Sequence, residues 1–307
     1  FVLDLSSGSI FIPLTELFTG EGSINHQIMV DLRLPRAIVA VVAGVSLSVS
    51  GLMMQTLFRN PLAGPYILGV SSGATLGVGL VVMAGTVLGF AASSWVTAIA
   101  AIAGASLVLL LVLGIAVRVN SNVSLLIIGM MIGSIAGALV NLMQNFANPD
   151  SLKLFIVWSL GSLSSVTWHE MPALITIFIV GLIVTLVLIK PLNGLLLGEN
   201  YAIGLGINMR LTRILIVLAT GLLAGGVTAF CGPIAFIGVA VPHLARGLYQ
   251  TSNHHITVPA AALIGANLLL ACDILANISV YPLPISAISS LFGAPIIIYI
   301  ILRRKII

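Results

Sequence analysis

Residues 34–58 read LPRAIVAVVAGVSLSVSGLMMQTLF, and this stretch decides the class of fold. Beyond Arg36 the stretch carries no charge, and it is longer than the roughly 20 helical residues that cross a hydrocarbon layer of about 30 Å. Its apolar residues are continuous instead of alternating with polar ones, which favours a helix over a strand of a membrane barrel. The stretch therefore predicts a transmembrane helix.

The rest of the chain repeats this pattern. Hydrophobic residues make up 59% and charged residues 7% of the 307 residues, and the mean hydropathy is +1.22. This is too apolar for a protein that folds around one core in water. Apolar runs between polar breaks give the candidate spans 34–58, 62–87, 95–117, 123–143, 171–189, 211–230, 232–248, 258–276 and 285–302. We also expect a first helix that lies largely ahead of Phe1. The prediction is a single all-α domain, 1–307, a polytopic membrane protein with about ten transmembrane helices.

The basic residues give an orientation. If the span 34–58 runs inward, the inner side receives Arg59, Arg118, Lys190, Arg210, Arg213, Arg246, Arg303, Arg304 and Lys305, and the outer side receives Arg33, Arg36 and Lys153. Cytoplasmic loops retain Lys and Arg near helix ends, so the larger group predicts the cytoplasmic side of an inner membrane. Because these residues are scattered singly through loops and form no patch, a nucleic-acid partner is excluded.

The chain shows no catalytic or metal-binding motif. It has no Gly-rich loop ending in Gly-Lys-Ser/Thr and no HExxH. Cys231 and Cys272 lie in or beside apolar runs, which indicates neither a disulfide nor a metal site. The adjacent His254 and His255 lack carboxylate or Cys support and are predicted to be solvated. We therefore expect no catalytic residue, no cofactor and no metal.

Energy for transport would then come from a separate ATPase subunit or from an ion gradient. Ion-coupled carriers usually place ionisable groups at mid-membrane depth, and the centres of these spans have almost none. This absence favours the ATPase, with a self-contained secondary transporter as the alternative.

Residues 191–213, the coupling segment, read PLNGLLLGENYAIGLGINMRLTR and form the largest cytoplasmic stretch between spans. Gly204 and Gly206 permit a sharp turn next to the lone Glu199. Two short helices joined at glycines would seat in a groove of a soluble partner and pass its motion to the flanking spans. From the residues alone, a solvated connector is equally well supported.

Small residues recur at helical spacing in two of the spans. They are Ala43, Gly44, Ser46, Ser48, Ser50 and Gly51 in one span, and Gly129, Gly133 and Gly137 in the other. Such faces allow helix backbones to approach closely in lipid. We predict bundle packing for both faces, with the lining of a translocation path as the alternative.

Ordered motifs extend from residue 32 to residue 302. They are Leu32-Arg33-Leu34-Pro35-Arg36, Ser50-Gly51 with Gln55, Arg59-Asn60-Pro61-Leu62-Ala63 with Pro65, Leu68-Gly69-Val70-Ser71-Ser72-Gly73-Ala74, Gly198-Glu199 with Leu205-Gly206, Gly232-Pro233-Ile234 with Phe236-Ile237-Gly238, Pro242-His243 with Arg246, and Leu283-Pro284-Ile285 with Gly293-Ala294-Pro295. Together and in this order, they resemble the permease family of type II ABC importers for vitamin B12, iron-siderophores and haem.

The resemblance implies a homodimeric permease that moves a bulky metal chelate by alternating access. It also implies two partners: one ATPase subunit under each permease copy and a soluble binding protein docking outside. Arg33 and Arg36 would hold acidic residues of that binding protein, since exposed guanidiniums can steer and orient an encounter. The alternative for both is generic interfacial anchoring.

On the cytoplasmic side, the resemblance assigns two groups of residues. The coupling element that inserts into the ATPase would comprise Gly198, Glu199, Ala202 and Gly206. The inner gate across the pore would comprise Asn120, Ser121 and Asn122, because polar, uncharged groups pass a chelate without holding it by strong charge pairing. A simple turn built from Asn and Ser is the alternative for the gate. His243 and Arg246 are expected to be structural or to face the ATPase.

One position departs from the family pattern. Many relatives have a basic residue four positions after the Asp of the penultimate span, whereas this chain has Asn277 after Asp273. No arginine role is carried over to this helix end, so the outer contact with the binding protein would rest on fewer charges. For Asp273 itself, a hydrated or backbone-paired acid is favoured over a functional carboxylate.

Overall fold

The computed structural model describes residues 1–8, 12–13, 15–16, 23–88, 93–116, 118–119, 121–278 and 283–303. These residues form helices joined by turns, and no strand occurs among them. In chain order the helices are α1 (Val2–Ser6), α2 (Ile24–Phe58), α3 (Val70–Leu88), α4 (Ser94–Ala116), α5 (Asn122–Phe146), α6 (Pro149–Ser159), α7 (Met171–Leu197), α8 (Glu199–Gly204), α9 (Met209–Cys231), α10 (Ile237–Tyr249), α11 (His254–Asn277) and α12 (Ile285–Arg303). Single π-helical turns interrupt α2 at Ile28–Arg33 and α9 at Gly221–Gly225.

The all-α, multi-pass fold predicted from the sequence is confirmed. Within the described residues, α2, α4, α5, α7, α9 and α11 are each long and apolar enough to cross a membrane. Shorter apolar helices, α3 and α12, and the brief α10 account for the other candidate spans. Each of the nine candidate spans therefore corresponds to a helix, which is compatible with a total of about ten.

Two spans begin later than predicted. The span expected from residue 62 begins at Val70, because residues 60–69 form successive turns that contain Pro61 and Pro65 and end at Gly69, with a φ of 76°. Proline cannot donate a backbone hydrogen bond, which keeps this stretch out of a regular helix. The span expected from residue 232 begins at Ile237, after another positive-φ glycine, Gly232.

The helix α6 was not expected from the sequence. Asn148 caps it by accepting a hydrogen bond from the Ser151 amide at 2.9 Å, Pro149 occupies its first turn, and Asp150 lies near its positive end. These are ordinary start signals for a helix. The helix has 11 residues, too few to span a membrane, so it is not among the long apolar runs that predict spans.

Helix α2 is the centre of the bundle. In its most apolar window 83% of the residues are buried, compared with 22% in α5 and in α7. A Cβ placed on Gly44 would overlap the carbonyl oxygen of Gly265 in α11, and one on Gly51 would overlap that of Gly238 in α10. The backbones of three helices are thus in direct contact, as predicted for this small-residue face. The two ends of α2 carry the two candidate functional clusters described next.

Candidate functional site

The predicted coupling residues form a turn, a short helix and a second turn at the inner end of the bundle. Gly198 separates α7 from α8 with a φ of 121°, and Gly206 follows α8 with a φ of 81°; L side chains rarely adopt either value. Ala202 is fully buried between them: its amide donates to the Gly198 carbonyl at 2.8 Å, and its carbonyl accepts from the Ile207 amide at 3.1 Å. These hydrogen bonds fold the unit compactly and leave one of its surfaces exposed.

The exposed surface of the coupling segment is apolar. The side chains of Leu197, Tyr201, Ile203 and Leu205 are each more than half exposed. Leu197 is the last residue of the candidate span Met171–Leu197, and the other three side chains lie beyond the end of that span. Exposed apolar clusters of this kind are typical of surfaces that bind another protein or a membrane.

A buried arginine joins the coupling segment to the turn that precedes α5. Arg213 donates from Nη2 to the Glu199 carboxylate and from Nη1 to the carbonyl of Val119 at 3.3 Å. The side chain of Arg213 is only 8% exposed, while that of Glu199 is 32% exposed. A single guanidinium thus contacts both Glu199 of the coupling segment and Val119, two residues before Ser121 of the predicted gate.

The structure places two of the three predicted gate residues at the start of α5. Ser121 caps α5 by accepting a hydrogen bond from the Ser124 amide at 3.4 Å. Asn122 donates from Nδ2 to the carbonyl of Leu57 at 2.9 Å, which attaches the turn to the inner end of α2. Asn120 lies outside the described residues. The gating role itself stays a prediction.

At the outer end of the bundle, Arg36 is held by α11. Its Nε donates to Asp273 Oδ2 at 2.9 Å and its Nη1 donates to Asn277 Oδ1 at 3.0 Å. Asp273 is 2% exposed, so the expectation of a hydrated or backbone-paired acid was wrong: burial of this carboxylate is matched by a guanidinium from the neighbouring helix. Asn277, at the departure from the family pattern, completes the cluster with its amide.

Arg33 is also turned inward. It is 6% exposed, and its Nη1 donates to the carbonyl of Leu5 at 2.9 Å, which fastens α1 onto α2. Both predicted docking arginines therefore lie together at the outer end, where they already contact groups of their own chain. Their contact with a binding protein stays a prediction.

Asp4 completes this outer cluster from α1, outside the candidate spans. It is 1% exposed. Its burial, followed by the charge of Asp273 and a hydrogen bond to Asp273, raises the pKa of Asp4 to about 7, although Arg36 opposes the shift. Protonation of Asp4 would allow its carboxyl group to donate a hydrogen bond to the Asp273 carboxylate and so attach α1 to α11.

This pKa predicts a pH-dependent attachment of α1. Because the folded state keeps a proton on Asp4 that the unfolded segment releases near its ordinary pKa of 3.8, the attachment should weaken as pH rises from about 4 to about 7 and then level off. The charged groups facing Asp4 are Asp273, Arg33 and Arg36. Hydrogen exchange of residues 2–8, corrected for intrinsic exchange, measures this effect. Asp4→Asn should remove the dependence, and the exposed Asp150→Asn should keep it; equal protection of the wild type at pH 5 and pH 8 would contradict the assignment.

His254 is fully buried, so its predicted solvation was wrong. Its ring contacts Thr56 Oγ1 through Nε2 at 2.9 Å and Asn193 Oδ1 through Nδ1 at 2.9 Å, which joins α11, α2 and α7. His255, by contrast, is exposed. Among the residues that the structure describes, no three His, Cys, Asp or Glu side chains are grouped to hold a metal ion.

Known proteins resemble this chain along nearly its whole length. Residues 1–303 match the FecCD transport family. The chain is 36% identical to the vitamin B12 import system permease protein BtuC of Klebsiella pneumoniae, covering 99% of this chain and 90% of that protein. It is also 36% identical to the hemin transport system permease protein HmuU of Yersinia pestis, covering 94% and 86%.

Two solved structures share the fold. One, described as an inward-facing conformation of a metal-chelate type ABC transporter, has a TM-score of 0.87 and 30% identity, covering 98% of this chain and 94% of its own. The other, PsaBC from Streptococcus pneumoniae in complex with Fab, has a TM-score of 0.60 and 17% identity, covering 87% and 90%. At that identity, the second supports the fold alone.

Proposed function

The chain belongs to the FecCD transport family, and on that premise we propose that it is the permease subunit of an ATP-driven importer of a bulky metal chelate. It is a multi-pass protein of the inner membrane. Two copies would form the path, with an ATPase subunit under each and a binding protein outside. The observation that carries the proposal is the exposed apolar surface of the coupling segment, joined through Arg213 to the turn before α5.

The permease itself would perform no chemistry. ATP binding would close the two ATPase subunits, and the coupling segments seated on them would move together. Each Arg213 would carry this movement to the turn at Val119 and Ser121, and so switch the path between its outer and inner openings. The uncharged Ser121 and Asn122 suit a gate that releases its cargo, since no strong charge pairing holds it.

The substrate class follows from the relatives. Two of them are equally similar to this chain, and their names specify vitamin B12 and hemin, while a third protein is described as a metal-chelate type transporter. Each of these names refers to a bulky complex of a chelated metal. We propose cobalamin, haem or an iron-siderophore as cargo, with the choice among them made by the binding protein.

Reconstitution tests the function. In vesicles that contain the permease and its ATPase, the loaded binding protein should stimulate ATP hydrolysis, and uptake of the chelate should require ATP. The double variant Arg33→Glu/Arg36→Glu, once shown to be folded, should lose this stimulation but keep basal hydrolysis, because its outer charge is reversed. Uptake driven by an imposed proton or sodium gradient, with no ATPase present, would instead favour the secondary transporter.

A further inference from the structure

A half-open cavity of about 270 Å³ lies at the inner end of α2, next to the coupling segment. Two guanidiniums line it, those of Arg59 and Arg246, together with Gln55, Leu195 and Ser252. No Asp or Glu is among the described residues that form its wall. The cavity is therefore a positively charged recess on the surface that faces the cytoplasm.

The backbone of Arg59 positions its side chain toward the coupling segment. Arg59 ends α2 in the left-handed region, with φ 47° and ψ 32°, a conformation that costs a non-glycine residue about 1 kcal/mol. From there its Nη2 donates to the carbonyl of Leu195 at 3.4 Å and lies where a side chain on Gly198 would have to pass. This long hydrogen bond leaves most of an exposed guanidinium available at the joint between α7 and α8.

Arg246 is oriented by a buried amide. Its Nη1 donates to Gln55 Oε1 at 2.7 Å, and Gln55, which is 3% exposed, donates in turn to the carbonyl of Val239 at 3.1 Å. The two guanidiniums thus come from different helices, α2 and α10, and converge on one recess. Planar, forked donors in this arrangement match a carboxylate group.

We propose that the cavity receives an Asp or Glu side chain of the ATPase subunit, an inference that rests on the proposed function. Two features favour this partner. Leu196 lines the cavity and is followed by the exposed Leu197, so a protein seated on the apolar coupling surface would cover the cavity as well. Arg59, in its wall, follows the last residue of the candidate span Ile24–Phe58, so the cavity lies at the inner end of that span, where the ATPase subunit would sit.

Binding of the ATPase to the permease in nanodiscs tests this proposal. In zwitterionic lipid, Arg59→Gln should weaken binding about tenfold, as expected for the loss of one charge-assisted hydrogen bond, and Arg59→Glu should weaken it further. The wild type should lose affinity between about 0.05 and 0.5 M salt, and Arg59→Gln should lose less.

The control Arg118→Gln removes an exposed arginine from the same cytoplasmic side and should bind like the wild type. Reversing one acidic residue of the ATPase to Arg should restore binding to Arg59→Glu.

The outcomes separate this inference from the proposed function. If the wild-type chain binds no ATPase, the proposed function fails. If it binds and a folded Arg59→Gln variant keeps its affinity and salt dependence, the cavity assignment is overturned while the function stands. If the loss appears only in nanodiscs that contain phosphatidylglycerol, the cavity holds a lipid headgroup, and the assignment is again overturned. Arg246→Gln is a second variant, which removes the other guanidinium from the cavity. Its melting temperature, measured in parallel, shows whether it remains folded.

Discussion

Gly51→Ala is expected to destabilise the folded permease by about 3 kcal/mol, the upper range for overpacking a close-packed interior. The added Cβ would overlap the carbonyl oxygen of Gly238 and would also press on its Cα at 2.8 Å. Both obstacles are backbone atoms, so no side chain can rotate out of the way, and α2 and α10 must separate. For a chain of this length, the melting temperature should fall by roughly 5 °C.

Gly114→Ala provides the matched control. Gly114 also lies within an apolar helix, α4, but a Cβ there would meet nothing within 4 Å. Alanine is the better helix former by about 1 kcal/mol, so this variant should melt at or above the wild-type temperature. A Gly51→Ala protein that melts with the wild type would show that α2 and α10 do not touch as the structure has them.

The glycines also show how far sequence patterns reach. The small-residue face around Gly44 and Gly51 predicted close packing, and the structure places both against the backbones of neighbouring helices. The same pattern at Gly129, Gly133 and Gly137 is only partly used within the chain: Gly133 approaches Gly69, whereas nothing lies within 4 Å of a Cβ on Gly137. Spacing along a helix predicts that a face is smooth, but the partner that covers it is set by tertiary structure.

Long apolar runs predicted the spans well, because in a membrane the required length and composition leave few alternatives. The polar contacts could not be predicted in the same way. Arg36 meets Asp273 across 237 residues of sequence, and Arg213 meets Val119 across 94. A single polar residue has no periodicity, so its partner becomes visible only when helices are placed side by side. His254 was misjudged for this reason, since its polar sequence neighbours suggested solvent.

Arg213→Met is expected to uncouple ATP hydrolysis from transport. Methionine keeps much of the apolar stem of arginine, and Glu199 is exposed enough to be hydrated once its partner is gone. The apolar docking surface should therefore still bind the ATPase, with an affinity close to that of the wild type. The link to Val119 would be lost, and chelate uptake per ATP hydrolysed should fall at least about tenfold, within the range of coupling energies between linked sites. Paired measurements of hydrolysis and uptake in proteoliposomes check this ratio, with the exposed Arg210→Met as control.

The exchange variant Glu199→Arg/Arg213→Glu distinguishes a transmitting arginine from a merely stabilising ion pair. The exchange restores opposite charges between α8 and α9, so any loss of stability in the single variants should be partly recovered. A carboxylate at position 213, however, cannot donate a hydrogen bond to the carbonyl of Val119, and the contact with the turn that precedes α5 stays broken. Uptake per ATP should therefore remain low in a protein whose melting temperature has recovered. Recovery of both would mean that the ion pair acts only on the stability of the coupling segment, and that movement reaches the gate by another route.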